Sequence, residues 1–190
     1  NILIQDDYYF ITYNIGKKNN LLNFESSLEL KENPLTINFL RYEKNQEVKS
    51  LIKFKGKRNN KNITIIEKFS FREKNNQIEI RDLKLNKKFK VINISKANLD
   101  YIDKDQKKNS FILYKKNKEY FLEGQLFNAN KLIDDLLDHS ETKSNVLNLR
   151  NKFNLNLEKI YLDNKNNLKN LVGYFVLNGQ EISKANLVGN

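Results

Sequence analysis

The alternation of apolar and polar residues constrains the fold of this chain more than any other feature. Phe24, Ser26, Leu28 and Leu30 share one parity, and Ile52 and Phe54 repeat the pattern further along. Successive side chains of a β-strand point to opposite faces, so a period of two indicates strands with one buried face. Such segments recur about every ten residues, between Asn- and Lys-rich turns. The pattern predicts a mainly β, antiparallel, meander-like curved sheet.

One segment, residues 128–139, departs from this alternation. It places four apolar residues on one helical stripe, at Leu132, Ile133, Leu136 and Leu137. Asn128 precedes them and is a suitable N-cap. The segment therefore predicts one short amphipathic α-helix, and a polar linker follows it at residues 140–145.

Two smaller patterns follow the linker. The alternation changes parity near Glu158 and Lys159, which predicts a bulge that re-aims the strand. Residues 182–187 repeat the sequence of residues 94–99, Ile-Ser-Lys-Ala-Asn-Leu. In so biased a composition the repeat is explained either by chance or by a duplicated strand unit.

The composition excludes several classes of protein. The 190 residues contain no Cys and a single His, His139. A disulfide framework, a thiolate zinc site and cysteine catalysis are thereby excluded, and so is a metal site with several His ligands. A hydrolytic enzyme would have only His139 as a base, and a His at a helix C-terminus is already explained by the helix dipole. We therefore expect a non-enzymatic protein without metal or cofactor.

The excess of basic residues is interpreted as belonging to the solvated surface of the protein. The chain has 34 Lys+Arg and 23 Asp+Glu, a net charge of +11. Lys and Asn are both very abundant, as expected of an AT-rich coding sequence, and the few Arg are scattered. Nucleic-acid sites usually gather Arg and Lys on one face. No nucleic-acid partner is expected.

Acidic residues form two weak candidate cation sites. Asp134, Asp135 and Asp138 read more simply as the solvent side of the predicted helix. The carboxylates at positions 100, 103 and 105 lack the Gly and the bidentate Glu of a calcium loop. No metal is assigned to either group.

The apolar faces of the strands are the remaining functional feature. A sheet with one apolar face must bury that face, and one short helix covers only part of a sheet of about ten strands. Either the sheet closes on itself, or the face stays open as a groove for an apolar ligand. Acyl chains would suit such a groove, since each buried CH₂ contributes about 0.8 kcal/mol. Periodicity does not separate the two arrangements.

The order of elements in the second half of the chain resembles a known family. Residues 120–137 read as a strand, Gly124 and a short helix; alternating strands follow the linker at 153–162 and 167–175, and the chain reaches Leu-Val-Gly at 187–189. This succession resembles the C-terminal region of the AsmA-like family of bacterial envelope lipid-transfer proteins, the YhdP and TamB type. The resemblance covers roughly residues 63–190 and is clearest at 119–190.

The resemblance implies a function. Residues 1–190 would be a single β-rich segment of a larger periplasmic domain in a Gram-negative bacterium. That domain would be attached to the inner membrane by an N-terminal helix outside this sequence. The family's open β-groove is thought to carry phospholipid between the inner and outer membranes during outer-membrane biogenesis, so the expected partners are phospholipid acyl chains and a membrane. No catalytic residues are implied.

The expected groove lining is the apolar parity of three strands. The candidate residues are Tyr120, Leu122, Phe153, Leu155, Leu157, Phe175 and Leu177. A register error of one residue would invert every one of these assignments. The alternative prediction is a closed, adhesin-like β-module that binds a protein partner through its edges or loops.

Overall fold

A computed structural model describes residues 2–5, 9–18, 20–37, 40–130, 133, 149–163, 165–179 and 181–190. Within these ranges the chain forms fifteen strands, thirteen of which belong to one sheet, and β4 pairs with β5 in a separate two-stranded sheet. The predicted mainly β, antiparallel, open sheet is confirmed. The sheet has two ends, β1 and β15, which do not pair with each other.

The alternating segments around 24–30, 52–54, 153–162 and 167–175 all fall in strands. The strands are β1 Ile2–Gln5, β2 Tyr9–Lys18, β3 Leu21–Leu30, β4 Thr36–Ile37, β5 Tyr42–Glu43, β6 Ser50–Arg58, β7 Thr64–Glu73, β8 Asn76–Leu85, β9 Val91–Asn93, β10 Lys96–Ile102, β11 Lys108–Lys116, β12 Glu119–Asn128, β13 Leu149–Tyr161, β14 Asn167–Gly179 and β15 Glu181–Val188.

The strands of the large sheet lie mostly in chain order. The order is β1-β2-β3-β6-β7-β8-β10-β11-β12-β13-β14-β15, and β9 extends the edge of β8. Every neighbouring pair is antiparallel except β12 and β13, which run parallel. A parallel pair needs a connection that returns to the starting end of the sheet. Residues 129–148, which include the predicted helix, supply that connection.

The predicted helix begins where the sequence places it. Asn128 Oδ1 accepts a hydrogen bond from Asn130 N (3.2 Å), the geometry of an N-cap, and Ile133 N donates to Ala129 O (2.8 Å). The remaining residues of the segment predicted to be helical, and the linker at 140–145, lie outside the described residues. The acidic residues at 134, 135 and 138 and His139 lie there as well.

The connection between β3 and β6 leaves the sheet and folds over its centre. Tyr42 of β5 is fully buried, and its ring packs edge-on against Phe71 (5.0 Å between centroids) and Tyr101 (6.1 Å). The Tyr42 hydroxyl donates to the buried carboxylate of Glu73. Tyr101 Oη donates to Leu40 O at 2.9 Å. This segment therefore acts as a lid on the middle strands.

Asn and Asp side chains shape three turns of one design. In each turn one side-chain Oδ1 accepts hydrogen bonds from the backbone N–H groups two and four residues later, at 2.9 to 3.0 Å. The accepting residues are Asn59, Asn86 and Asp103. The residue three positions later has a positive φ in each turn, at Asn62 (58°), Phe89 (57°) and Gln106 (59°). Asn and Asp favour such turns because the side chain replaces a backbone acceptor. Part of the Asn content thus has a structural use.

The parity change near Glu158 is present but differs from a one-strand bulge. Leu157 and Ile160 are both buried in the same core, so the strand is re-aimed between them. Leu157 pairs with Leu171 and Lys159 pairs with Lys169. One residue on each strand lies between these two pairs without a register partner. Asn170, on β14, takes a φ of 51° at this point.

Candidate functional site: the apolar face of the sheet

One continuous row of residues crosses all twelve strands of the main path on the same face. In register order the row is Ile2, Tyr13, Ser26, Phe54, Phe69, Ile80, Ala97, Leu113, Leu122, Leu155, Gly173 and Leu187. Ser26 and Gly173 are the only members without an apolar side chain. Twelve strands about 4.8 Å apart give this apolar face a width of about 50 Å. The face is one surface rather than a set of separate patches.

The centre and one flank of the apolar face are covered by the chain itself. We call strands β7, β8 and β10 to β14 the covered section. The β4–β5 hairpin buries Phe71, Ile78 and Leu99 in one cluster. Ala129 and Ile133, at the start of the helix, pack with Leu155 and Leu157 in a second cluster.

A third cover is β9 with its following residue. β9 lies against β13, and Ile94 packs onto the cluster formed by Tyr120, Phe153 and Leu177. Ile94 N donates to Tyr120 Oη at 3.2 Å. The part of the covered section around Tyr120, Phe153 and Leu177 is therefore covered by β9 and Ile94.

The structure brings the seven predicted groove residues together on this face. Tyr120, Phe153 and Phe175 form a stack across three strands, with centroids 4.9 and 5.1 Å apart and rings within 12° of parallel. Leu122 lies opposite Leu155. Tyr120, Phe153, Leu155, Leu157 and Leu177 are buried, whereas Leu122 and Phe175 are half-buried. Their chosen parity agrees with the register, and their role as a groove lining stays a prediction.

A different part of the apolar face is left without a cover. We call the open section the inward residues Ile11, Tyr13, Ile15, Phe24, Leu28 and Phe54 of β2, β3 and β6. None of them belongs to a buried cluster of the described chain. Ile15 is 59% exposed, and the other five are half-buried. Sequence reasoning recognised the strand of Phe24 and Leu28 but assigned the groove to the later strands.

A glycine shapes the floor of the open section. The ring of Phe24 packs edge-on against Phe54 (6.0 Å between centroids) and lies over Gly56. A Cβ at Gly56 would lie 2.7 Å from Phe24 Cζ and 2.3 Å from Ile65 O. Any larger residue at position 56 would have to displace the ring or the neighbouring strand. Gly56 therefore keeps this part of the face flat.

The open section ends in a charged row on the same face. Ile15, Phe24 and Gly56 lie opposite one another, and two residues further on Lys17, Leu22 and Arg58 do the same. We call this second set the cationic row. The open section therefore changes from hydrocarbon to positive charge at one end of the strands.

The titratable groups of the covered section serve its packing. Burial, together with the neighbouring Glu73 carboxylate, raises the pKa of Tyr42 far above its ordinary value. Burial also raises the pKa of Tyr101. Both hydroxyls are therefore neutral donors at physiological pH and hold the lid onto the sheet.

The acidic candidates for a cation site are used in contacts with the protein. Asp100 pairs with Lys108, and Asp105 pairs with Arg41. Asp103 is buried, and its Oδ2 accepts hydrogen bonds from the side-chain amides of Asn109 (3.2 Å) and Asn128 (2.6 Å). Across the described part of the chain, no three His, Cys, Asp or Glu side chains gather as a metal site would require.

Comparison with family models, curated proteins and solved structures found no match. The resemblance to the AsmA-like family therefore rests on the sequence pattern alone. Among the described residues there is no helix with the length and apolar character needed to cross a bilayer.

Proposed function

We propose that this protein binds the acyl chains of phospholipids on the open section of its apolar face, without catalysis. The observation that carries the proposal is an apolar surface on β2, β3 and β6, interrupted by Ser26, whose residues lie outside the buried clusters of the described chain. Single exposed apolar residues are ordinary, but a contiguous apolar patch marks a binding site. The patch here joins residues of three adjacent strands.

The shape of the open section suits an extended hydrocarbon. From Ile11 to Lys17 a strand advances six residues, about 20 Å. Half of a bilayer's hydrocarbon core is about 15 Å thick, so one acyl chain fits along the strand direction. Each CH₂ removed from water contributes about 0.8 kcal/mol, which makes the transfer favourable without any catalytic group.

The cellular role follows from the sequence resemblance and is part of the same proposal. The chain would be a periplasmic segment of an AsmA-like protein, attached to the inner membrane through a segment outside this sequence. The open section on β2, β3 and β6 would hold the acyl chain of a lipid on its way towards the outer membrane. Movement would be passive and directed by other components of the envelope.

The proposal is tested by a pair of matched substitutions. Leu28 points to the apolar face, whereas Leu51, also half-buried, lies on the neighbouring strand and points to the other face. Binding of a fluorescent fatty acid to the purified protein should weaken about tenfold in Leu28→Ser, since about 1.4 kcal/mol of apolar contact is lost. Leu51→Ser should bind as the wild type does.

Two results would contradict acyl-chain binding. One is wild-type protein that does not bind the fatty acid at all. The other is an equal loss of binding in the two variants, with circular dichroism showing both folded, because the effect would then not belong to one face.

A further inference from the structure

The cationic row lies where a bound lipid would present its polar end. Lys17 is exposed, Leu22 is 39% exposed, and both share the face of the open section with Arg58. An acyl chain lying along Ile11, Tyr13 and Ile15 would reach this row next. The row therefore extends the open section rather than forming a separate patch.

The row opens into a cleft of about 370 Å³ between two turns. The cleft is lined by Lys17, Asn20, Leu22, Arg58, Asn59, Asn60 and Asn62. Two cationic side chains and four amides line it, and no carboxylate does. Such a lining offers several N–H donors to an anion and no competing negative charge.

Arg58 contacts an aromatic ring, and among the residues that the structure describes no carboxylate pairs with it. Its guanidinium carbon lies 5.7 Å from the centroid of the Phe89 ring, and its Nε is buried without a hydrogen-bond acceptor. A buried donor without an acceptor carries a desolvation cost, and an anion beside the guanidinium would satisfy this donor if the side chain turned towards it. By contrast, the neighbouring Lys57 pairs with Glu67 at 2.7 Å.

The charge of the turns also favours an anion site at this rim of the sheet. Four turns at this rim, residues 17–20, 59–63, 86–90 and 116–118, contain Lys and Asn but neither Asp nor Glu. The turns at the opposite rim mix both signs, as in residues 103–107 and 163–166. The positive charge is thus concentrated where the cationic row lies.

We propose that the cleft around Lys17 and Arg58 binds the phosphate of a phospholipid headgroup whose acyl chain lies on the open section. The inference rests on the proposed function and adds the polar half of the ligand to it. Arg58 would meet the phosphate oxygens with its planar N–H donors, and Lys17 would add a mobile point charge. Lipid would then bind in one direction, with its phosphate at this rim.

The test compares two ligands with the same acyl chain. Lysophosphatidylglycerol carries a phosphate, and the matching monoacylglycerol does not. Wild-type protein should bind the phosphate-bearing lipid more tightly, and Arg58→Gln or Lys17→Gln should lower that affinity about tenfold. Neither variant should change the affinity for the monoacylglycerol.

A charge-matched control separates the cleft from the general positive field. Arg72→Gln and Lys49→Gln each remove one positive charge near the opposite rim, and both should leave lysophosphatidylglycerol binding unchanged. An equal loss in these controls would overturn the cleft assignment. So would wild-type protein that binds the two ligands equally well.

Two further outcomes distinguish the claims from each other. If neither ligand binds, the proposed function itself fails. If inorganic phosphate alone binds the cleft as tightly as the phosphate-bearing lipid does, the site is a free-anion site and the headgroup assignment is wrong. With the assignment correct, inorganic phosphate competes only weakly, because it lacks the contribution of the acyl chain.

Discussion

The open and covered sections of the apolar face are built from the same kind of strand but differ in what lies above them. Phe24 and Phe54 in the open section contact each other edge-on across neighbouring strands, and Phe69 and Ile80 in the covered section lie directly opposite each other. The difference comes from the connections. The β4–β5 hairpin, β9 and the start of the helix all fold over the covered section. An open face is thus set by where the long connections go, and not by strand composition.

The largest expected contrast is between one aromatic residue from each section. Tyr120→Ala removes a fully buried ring that stacks on Phe153 and should cost about 3–5 kcal/mol of unfolding free energy. Phe24→Ala removes a half-buried ring and should cost about half as much. Urea unfolding of both variants measures the difference. Equal losses would mean that the open section is covered in solution.

The next effect concerns the lid on the covered section. Tyr42→Phe keeps the ring but removes its hydrogen bond to the Glu73 carboxylate, which should cost about 1.5–3 kcal/mol. Glu73 retains Asn45 N and the Asn76 amide as donors, each at 3.0 Å. The measurement is again urea unfolding at neutral pH. An unchanged unfolding free energy in Tyr42→Phe would show that the lid is held by packing alone.

Alkaline pH should loosen the same lid. Because burial raises the pKa of Tyr42 and of Tyr101, the unfolded chain releases these protons at lower pH than the folded chain does. Their contribution is complete below the unfolded pKa of about 10 and is lost as pH rises above it. Unfolding free energy measured against pH should fall above pH 10 in the wild type. The fall should be shallower in Tyr42→Phe, and an identical slope would contradict the assignment.

A smaller effect is expected at the turn between β13 and β14 under acid conditions. Hydrogen bonds from the Asn166 side chain, Asn166 N and Lys165 N lower the pKa of Asp163 to about 2. A depressed carboxyl pKa contributes stability above the unfolded value of about 3.9, and this contribution is lost as pH falls through about 2. The protection factors of the turn's amides, which are corrected for the intrinsic pH dependence of exchange, should therefore fall over that window. Asp163→Asn should abolish this change in protection, and a change that persists would point to another group.

The smallest effect belongs to the exposed ion pairs behind the open section. Lys49 Nζ lies 3.8 Å from Glu29 Oε1, and the two side chains are 73% and 41% exposed. Lys49→Gln should change stability by about 0–0.5 kcal/mol. A loss above about 1 kcal/mol would show that this rim is better ordered than its exposure implies.

The sequence predicts the strands well because alternation is a local signal. Phe153, Leu155 and Leu157 lie on one face as their spacing requires, and Asn128 caps the helix as its position indicates. The turns are also predicted from local sequence, since the side chains of Asn and Asp accept hydrogen bonds from nearby backbone N–H groups. Both kinds of feature depend on a few neighbouring residues.

The location of the open section could not be predicted because it depends on contacts between distant residues. Ile94 covers Tyr120 and Tyr42 covers Phe71, across separations that no local period encodes. The cationic row was visible only in part: Lys17 and Arg58 are far apart in sequence, and only the register through Leu22 brings them together. Charge counted along the chain looks even, whereas charge placed on the sheet does not.

Site-specific photo-crosslinking in phosphatidylglycerol vesicles tests the central claim most directly. A photoreactive residue at Tyr13 or Phe24 faces the open section, one at Asn14 or Glu25 faces the opposite side of the same strands, and one at Leu155 lies in the covered section. We predict lipid adducts from Tyr13 and Phe24, and none from Asn14 or Glu25. An adduct at Leu155 would show that the cover opens to lipid. Adducts from both sides alike, or from neither, would contradict an acyl-chain site on the apolar face.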